Sequence, residues 1–290
     1  MPPNPLVFTL GHSPDPDDAF MFYAMAEHEI DLRGHQFEHR LEDIQTLNER
    51  ATRGELHISA ISIHAYAYVS DRYALLPCGA SMGDGYGPIV VATQTDGLGP
   101  NPSDAEIRQW LRGRTIAIPG KMTSAYLALQ LYLGRFEHLV VPFDRIFGTV
   151  KTGGAAAGLI IHEGQLTYGQ AGFVKIIDLG AWWKRETGLP LPLGGNVLRR
   201  DILPAVQRDL LAIMRESIDY GLAHREQAVR HSMPYARDIG EALADQFIGM
   251  YVNEYTRDYG ERGREAIIRF LGAARERGYL DRAVDVQFVA

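Results

Sequence analysis

The sequence predicts a two-domain α/β protein in which the chain crosses between the domains twice. Strands and helices alternate along residues 6–69, and a second alternating series begins after residue 103; such alternation is typical of parallel sheets covered by helices. Stretches rich in glycine and proline at 88–102 and 188–195 enclose a central block and are the expected crossings. The predicted outer domain comprises residues 1–92 and 193–290, the inserted domain comprises residues 93–192, and a cleft lies between them.

Each element of the first series has its own local signal. The β-rich run at 6–10 predicts a buried strand, and the prolines and aspartates that follow it mark a helix start. A second strand is expected over 36–41, followed by a helix that Asp43 caps. Residues 56–62 predict a third strand, and residues 65–69 a short helix.

The second series follows the loop material at 97–102, which is the best linker candidate in the sequence. Helices at 104–111 and 123–133 alternate with strands at 115–118, 139–141, 158–161 and 174–179. From residue 203 onward the pattern is almost wholly helical. One α/β domain inserted into another is the layout of the type II periplasmic-binding-protein fold.

Composition excludes several classes of function. The chain has 290 residues, a formal net charge of −7 and a pI near 5.8, whereas a nucleic-acid or anionic-membrane surface needs a basic excess. No apolar run approaches the length of a bilayer span. The single cysteine, Cys78, forms neither a disulfide framework nor a CxxC site. Residues 1–10 contain no basic residue and do not resemble a signal peptide, so we expect a cytoplasmic protein.

The run from Ser13 to Asp18 lies where a strand passes into a helix, which is where open α/β sheets bind ligands. One interpretation directs Ser13 and Asp18 into the cleft as substrate-binding groups. The other has Asp15, Asp17 and Asp18 cap the helix and match the charge of its N-terminus. Three carboxylates disfavour an anion at this place, so a substrate carboxylate should bind elsewhere.

A second strand-to-helix junction, at 118–124, contains Thr123 and Ser124 and no acidic residue. Hydroxyls beside the free N–H groups of a helix N-terminus make an anion site. The alternative is a simple Ser/Thr N-cap with no ligand. The glycine spacing is not that of a phosphate-binding P-loop.

His162 and Glu163 follow an apolar strand at its carboxyl end, a favoured position for a catalytic base. The same pattern also fits a histidine with a structural role. No HExxH or other zinc spacing accompanies His162, so no metal site is predicted.

The block Leu-Ile-Ile-His-Glu at 159–163 is the most specific of several that extend over nearly the whole chain; the others lie at 13–20, 41–48, 71–73, 87–88, 123–126, 178–183 and 187–194. On these blocks the chain resembles the 1,4-dihydroxy-6-naphthoate synthase family of the futalosine branch of menaquinone biosynthesis. The related chorismate dehydratase family shares the fold but lacks the histidine block, and it is the weaker match.

The resemblance implies a lyase that converts cyclic dehypoxanthinylfutalosine to 1,4-dihydroxy-6-naphthoate and dihydroxyacetone. It implies His162 as the general base and substrate contacts at Ala60, Ile61, Ser62, Thr123 and Ser124. A neutral imidazole can remove the proton and aromatisation can drive the C–C cleavage, so no metal or redox cofactor is expected. The expected partner is a small carboxylate substrate, with neither nucleic acid nor membrane, and a homodimer is compatible with the sequence.

Other interpretations remain open. A solute-binding protein without catalytic activity would have the same fold, because a fold does not determine function. The absent signal-peptide pattern and the histidine at the cleft argue against it. A ligand-sensing regulatory domain would need an attached DNA-binding module, and none is visible in the sequence.

Overall fold

The computed structural model describes residues 6–237 and 239–290 as an α/β structure with two sheets. Residues 1–5, which belong to the predicted outer domain and to the segment compared with signal peptides, lie outside the described residues. The strands are β1 (Val7–His12), β2 (Gln36–Leu41), β3 (Ile58–Ser62), β4 (Tyr73–Leu75), β5 (Ser81–Gly83), β6 (Ile89–Ala92), β7 (Ile116–Ile118), β8 (His138–Val140), β9 (Ala157–Ile160), β10 (Val174–Asp178) and β11 (Leu191–Arg199).

The α-helices of the described residues surround these sheets. They are α1 (Pro16–Ala26), α2 (Ile44–Arg53), α3 (Ile63–Tyr66), α4 (Asp104–Leu111), α5 (Ser124–Leu133), α6 (Ile146–Lys151), α7 (Gly164–Thr167), α8 (Leu179–Thr187), α9 (Pro204–Ala223), α10 (Arg225–Ser232), α11 (Glu241–Tyr251), α12 (Glu254–Arg257) and α13 (Gly260–Glu276). None of the described helices combines the length and the apolar character needed to cross a membrane.

The first sheet has the strand order β2-β1-β3-β11-β4, with β5 paired to β11. Strands β1, β2 and β3 are parallel, and β11 runs antiparallel to β3, β4 and β5. Because β1 and β3 are parallel neighbours, their carboxyl ends at His12 and Ser62 reach the same edge of the sheet.

The second sheet has the order β10-β6-β9-β7-β8. Strand β7 is parallel to both β8 and β9, whereas β6 runs antiparallel to β9 and β10. The carboxyl ends of β7 and β9, at Ile118 and Ile160, therefore share an edge. In each sheet the segments that follow a parallel pair are placed to form a site.

Two helices that start at these edges are buried almost completely. Nine of the eleven residues of α1 are buried, because α1 packs against α9, α10 and α11. Helix α5 buries eight of its ten residues. A helix that is apolar on nearly all sides belongs in an interior, so the first turns of both helices point their polar groups into enclosed space.

The structure confirms the predicted alternation of strands and helices and the predicted fold class. Strand β2 and helix α4 have the predicted bounds, and Asp43 caps α2 by accepting the N–H groups of Gln45 and Thr46. Strands β4 and β5 are only three residues long and had no prediction.

The largest difference concerns 188–195, for which a loop was expected. Strand β11 occupies Leu191–Arg199 and is a central strand of the first sheet. A Cβ atom on Gly195 would lie 2.4 Å from the hydroxyl of Tyr259. Glycine is therefore needed here for close packing inside a strand, which local composition cannot distinguish from a loop.

The chain passes from the first sheet to the second between Gly83 and Ile89, and it returns between Asp178 and Leu191. Strand β6, which the sequence assigned to the outer part, thus belongs to the second sheet, and the loop at 97–102 joins β6 to α4. The division into two domains about a two-crossing hinge stays a prediction.

Candidate active site

A cavity of about 110 Å³ lies where the carboxyl ends of the parallel strands of both sheets meet. Its walls come from the end of β3, from the segments after β1, β7 and β9, from β11 and from α11. The structure brings together all seven residues predicted to bind substrate, which line this cavity: Ser13, Asp18, Ala60, Ile61, Ser62, Thr123 and Ser124. His162 is not among the lining residues, although Ile161 and Gln165 are.

The first wall carries the acidic group at the start of α1. Asp18 is buried, and its Oδ2 atom accepts the backbone N–H of Ser13 at 2.7 Å and the Ser13 hydroxyl at 2.9 Å. Burial raises the pKa of Asp18 to about 6 and raises that of Asp17 as well, the latter with help from the charges of Asp18 and Asp15. Asp15 makes no capping hydrogen bond to the helix. The acidic run thus faces the cavity instead of only capping α1.

The second wall is the end of β3, where Asn48 fixes Ser62. The Asn48 side chain accepts the backbone N–H of Ser62 and donates to its Oγ atom, both at 2.9 Å. Ser62 therefore keeps its hydroxyl proton for a ligand. Ala60 and Ile61 pair with Asn196 and Gly195 of β11, so this wall offers mainly backbone groups. Asn48 had no predicted role of its own, because the contact depends on how α2 packs on β3.

The third wall is the first turn of α5, where both hydroxyls already have partners. Thr123 Oγ1 accepts the N–H of Tyr126 at 3.2 Å and donates to the Gly120 carbonyl, so Thr123 is the N-cap. Ser124 Oγ accepts the N–H of His64 at 3.1 Å and donates to the Leu193 carbonyl. The N–H groups of Ser124 and Ala125 have no partner within the helix, so the anion donors at this wall are backbone groups.

His162 lies just beyond the cavity, with its ring edge-on to Phe143 and Phe147. Burial is the main reason that its pKa is lowered to about 4, so the ring is neutral near pH 7. The backbone N–H of Gly164 donates to Nδ1 at 3.0 Å. Because a backbone N–H can only donate, the neutral ring carries its proton on Nε2. The Nδ1 lone pair is occupied in this arrangement.

Glu163 is buried beside His162 but does not orient the ring by a hydrogen bond, since its Oε2 atom lies 3.8 Å from Nδ1. Its Oε1 atom accepts the backbone N–H of Arg237 at 3.2 Å. The Arg237 guanidinium pairs with Asp15 at 2.8 Å, donates to the Pro14 carbonyl, and lies over the Phe143 ring. Arg237 thus joins the segment after β1 to the segments around β9.

Sequence reasoning missed Gln165, Asn196 and Tyr251, which also line the cavity. Tyr251 donates from its hydroxyl to Oε1 of Gln165 at 2.7 Å, and Asn196 donates to the Gly79 carbonyl at 3.1 Å. Within the described part of the chain, Gln165 Nε2 and Asn196 Oδ1 have no hydrogen-bond partner. No local signal marks these residues, because each reaches the cavity through contacts between distant segments.

The residues 6–237 and 239–290 contain no cluster of three or more His, Cys, Asp or Glu side chains arranged to hold a metal ion. The cavity instead combines an acidic wall at α1, amide donors at α5 and unpaired amide side chains. Such a site suits an organic ligand with a carboxylate at one end and uncharged oxygens at the other.

The fold is that of the periplasmic binding proteins. A solved structure of an alkanesulfonate-binding protein from Xanthomonas axonopodis, bound to MOPS, superposes with a TM-score of 0.74 at 10% identity, covering 98% of this chain and 97% of that one. A crystal structure of a protein from Archaeoglobus fulgidus superposes with a TM-score of 0.87 at 41% identity, covering 94% of this chain and 98% of that one.

The family is narrower than this class. Residues 8–276 match the model of a family described as menaquinone biosynthesis. A 1,4-dihydroxy-6-naphthoate synthase from Thermus thermophilus is 40% identical over 93% of this chain and 94% of its own length. A synthase of the same name from Streptomyces coelicolor is 37% identical over 93% of each chain. The chain belongs to this menaquinone biosynthesis family.

Proposed function

We propose that this protein is a 1,4-dihydroxy-6-naphthoate synthase, a carbon–carbon lyase that divides cyclic dehypoxanthinylfutalosine into 1,4-dihydroxy-6-naphthoate and dihydroxyacetone. The observation that carries the proposal is the cavity itself, whose lining includes both the first residues of α5, with their free helix N–H groups, and the acidic side chains at the start of α1. The two full-length relatives named for this activity support it. The two products together contain all the atoms of the substrate, so the cleavage needs no oxidant or reductant.

The two walls give the substrate one orientation. The aryl carboxylate binds at the N–H groups of Ser124 and Ala125, where the helix N-terminus favours an anion. Asp18, which a pKa of about 6 leaves ionised near pH 7, repels a carboxylate from the wall at α1, and that wall therefore takes the hydroxyl-bearing part. Ser62 donates its free hydroxyl proton, and Ala60 and Ile61 contribute backbone groups along β3.

His162 is the proposed general base. Its lowered pKa keeps the ring unprotonated at neutral pH, because burial disfavours the imidazolium. Since Nδ1 is held by Gly164 and Nε2 carries the proton, the ring must turn away from Gly164 before it can accept a proton from the substrate. Its neighbours Ile161 and Gln165 line the cavity, so His162 lies next to the space in which the substrate would bind.

Two alternatives need separate evidence. A solute-binding protein would use the same cavity without turnover; the structural likeness to the sulfonate-binding protein extends to the fold alone. Chorismate dehydratase would act on chorismate. A cytoplasmic location and a homodimer remain predictions, as does the small carboxylate partner.

Incubation with cyclic dehypoxanthinylfutalosine, followed by mass spectrometry, tests the proposal. The expected result is catalytic formation of the naphthoate together with one dihydroxyacetone per turnover, with no product from chorismate. Saturable binding of the substrate without naphthoate would favour the solute-binding alternative. Consumption of chorismate instead would favour the dehydratase.

A further inference from the structure

Gln165 presents a buried hydrogen-bond donor that the protein itself does not use. The residue is 7% exposed and lines the cavity at the start of α7. Its Oε1 atom accepts the hydroxyl of Tyr251 at 2.7 Å. Its Nε2 atom has no partner among the residues that the structure describes. Buried polar atoms are almost always paired, so an unpaired donor on a residue that lines the cavity points to a ligand group as its partner.

Tyr251 determines which end of the amide meets the ligand. The Tyr251 ring is 3% exposed at the end of α11, and burial raises the pKa of its hydroxyl, which therefore stays protonated. This hydroxyl donates its proton to Oε1 of Gln165. A donating hydroxyl needs the amide oxygen opposite it. The amide NH₂ is consequently turned away from Tyr251.

The charge around this pair selects the kind of oxygen that it can bind. Asp18 lines the same cavity as Gln165, and its carboxylate is ionised near pH 7 because burial raises its pKa only to about 6. A ligand carboxylate would be repelled here. An uncharged carbonyl or hydroxyl oxygen accepts the NH₂ proton without that repulsion.

We infer that Gln165 is a further substrate-binding residue, which donates from Nε2 to an uncharged oxygen in the polyol-bearing half of the substrate. Tyr251 is its positioning residue. This assignment rests on the proposed function and deepens it, because it states how the enzyme distinguishes its substrate from a plain aryl carboxylate. His162 and the α5 wall then act on a ligand whose opposite end is already fixed.

Steady-state kinetics of Gln165→Met and Gln165→Glu test the contact. Methionine removes the donor at similar size, and kcat/KM for the cyclic substrate should fall roughly three- to tenfold, the usual loss for one neutral hydrogen bond. Glutamate keeps an acceptor for Tyr251 but replaces the donor by an oxygen, so its kcat/KM should fall at least as far. The inhibition constant of 2-naphthoate, which offers a carboxylate and no other oxygen, should stay within twofold of wild type in both variants.

Tyr251→Phe tests the positioning role, with Tyr86→Phe as the matched control. The Tyr86 ring lies edge-on to Tyr251, but its hydroxyl donates to the Met250 carbonyl. Tyr251→Phe should lower kcat/KM for the substrate and leave 2-naphthoate inhibition unchanged, whereas Tyr86→Phe should change neither.

The outcomes separate the inference from the function on which it rests. Turnover by wild type with unchanged kcat/KM in both Gln165 variants overturns the inference alone. An equal loss for the substrate and for 2-naphthoate also overturns it, because the effect is then not specific to an uncharged oxygen. Wild-type protein without turnover overturns the proposed function itself.

Discussion

Replacement of Ser124 by alanine distinguishes a structural use of its hydroxyl from a ligand-binding use. The Oγ atom accepts the N–H of His64 at 3.1 Å and donates to the Leu193 carbonyl at 2.5 Å. Ser124 is 2% exposed, so water has little access to either bond. A buried donor left unpaired costs about 1–3 kcal/mol, and we expect Ser124→Ala to lower the free energy of unfolding by that amount.

Urea denaturation of wild type, Ser124→Ala and Thr152→Ala measures this loss. Thr152 is the matched control, because its hydroxyl also donates to a backbone carbonyl, that of Gly148, but on an exposed helix end. Its replacement should change the free energy of unfolding by no more than about 0.5 kcal/mol.

Ligand affinity supplies the second half of the test. The N–H groups of Ser124 and Ala125 survive the substitution, so the dissociation constant of 2-naphthoate should rise by less than about threefold, well under the loss of a charged hydrogen bond. Unchanged stability together with binding at least about tenfold weaker would refute the reasoning, since the hydroxyl would then serve the ligand and not the fold.

Two further predictions concern charge. Because burial raises the pKa of Asp18 to about 6, the ionisation of Asp18 lowers the free energy of unfolding of the wild type as pH rises from 4 to 7. Asp18→Asn lacks this ionisation, so urea denaturation should show it becoming more stable than wild type over that range. If the free energies of unfolding of the two proteins change in parallel with pH, the raised pKa of Asp18 is contradicted. Arg237→Met removes the ion pair with Asp15 and the contacts around Glu163. The ligand should then dissociate faster in stopped-flow measurements, and small-angle scattering should give a larger radius of gyration for the liganded protein. If neither the dissociation rate nor the radius of gyration changes, Arg237 does not hold the two sides of the predicted hinge together.

The sequence contained enough local information for the elements that start the site. Asp43 at the head of α2 and Thr123 at the head of α5 are N-cap residue types directly before an apolar periodic run, and both cap in the structure. The site residues at the ends of β1 and β3 could be predicted because ligands of open α/β sheets bind at the carboxyl ends of the strands. This rule does not depend on how the rest of the chain folds.

Other features depended on contacts between distant segments. Tyr251 and Gln165 are 86 residues apart in the chain, and no spacing rule connects them. Strand β11 was taken for a loop, although Gly195 is required by the close approach of Tyr259 and not by a turn. The position of His162 between Phe143 and Phe147 depends on how the 3₁₀ turn Phe143–Arg145 packs against the end of β9.

The rate of naphthoate formation by His162→Gln in a single turnover tests the central claim most directly. If His162 is the base, the variant should keep its melting temperature and its inhibition constant for 2-naphthoate, yet form product at least about a hundredfold more slowly than wild type. The proton on Nε2 and the lowered pKa of the ring predict that wild-type turnover does not change with His162 ionisation between pH 5 and 8. A His162→Gln variant that forms the naphthoate at nearly the wild-type rate would contradict the account.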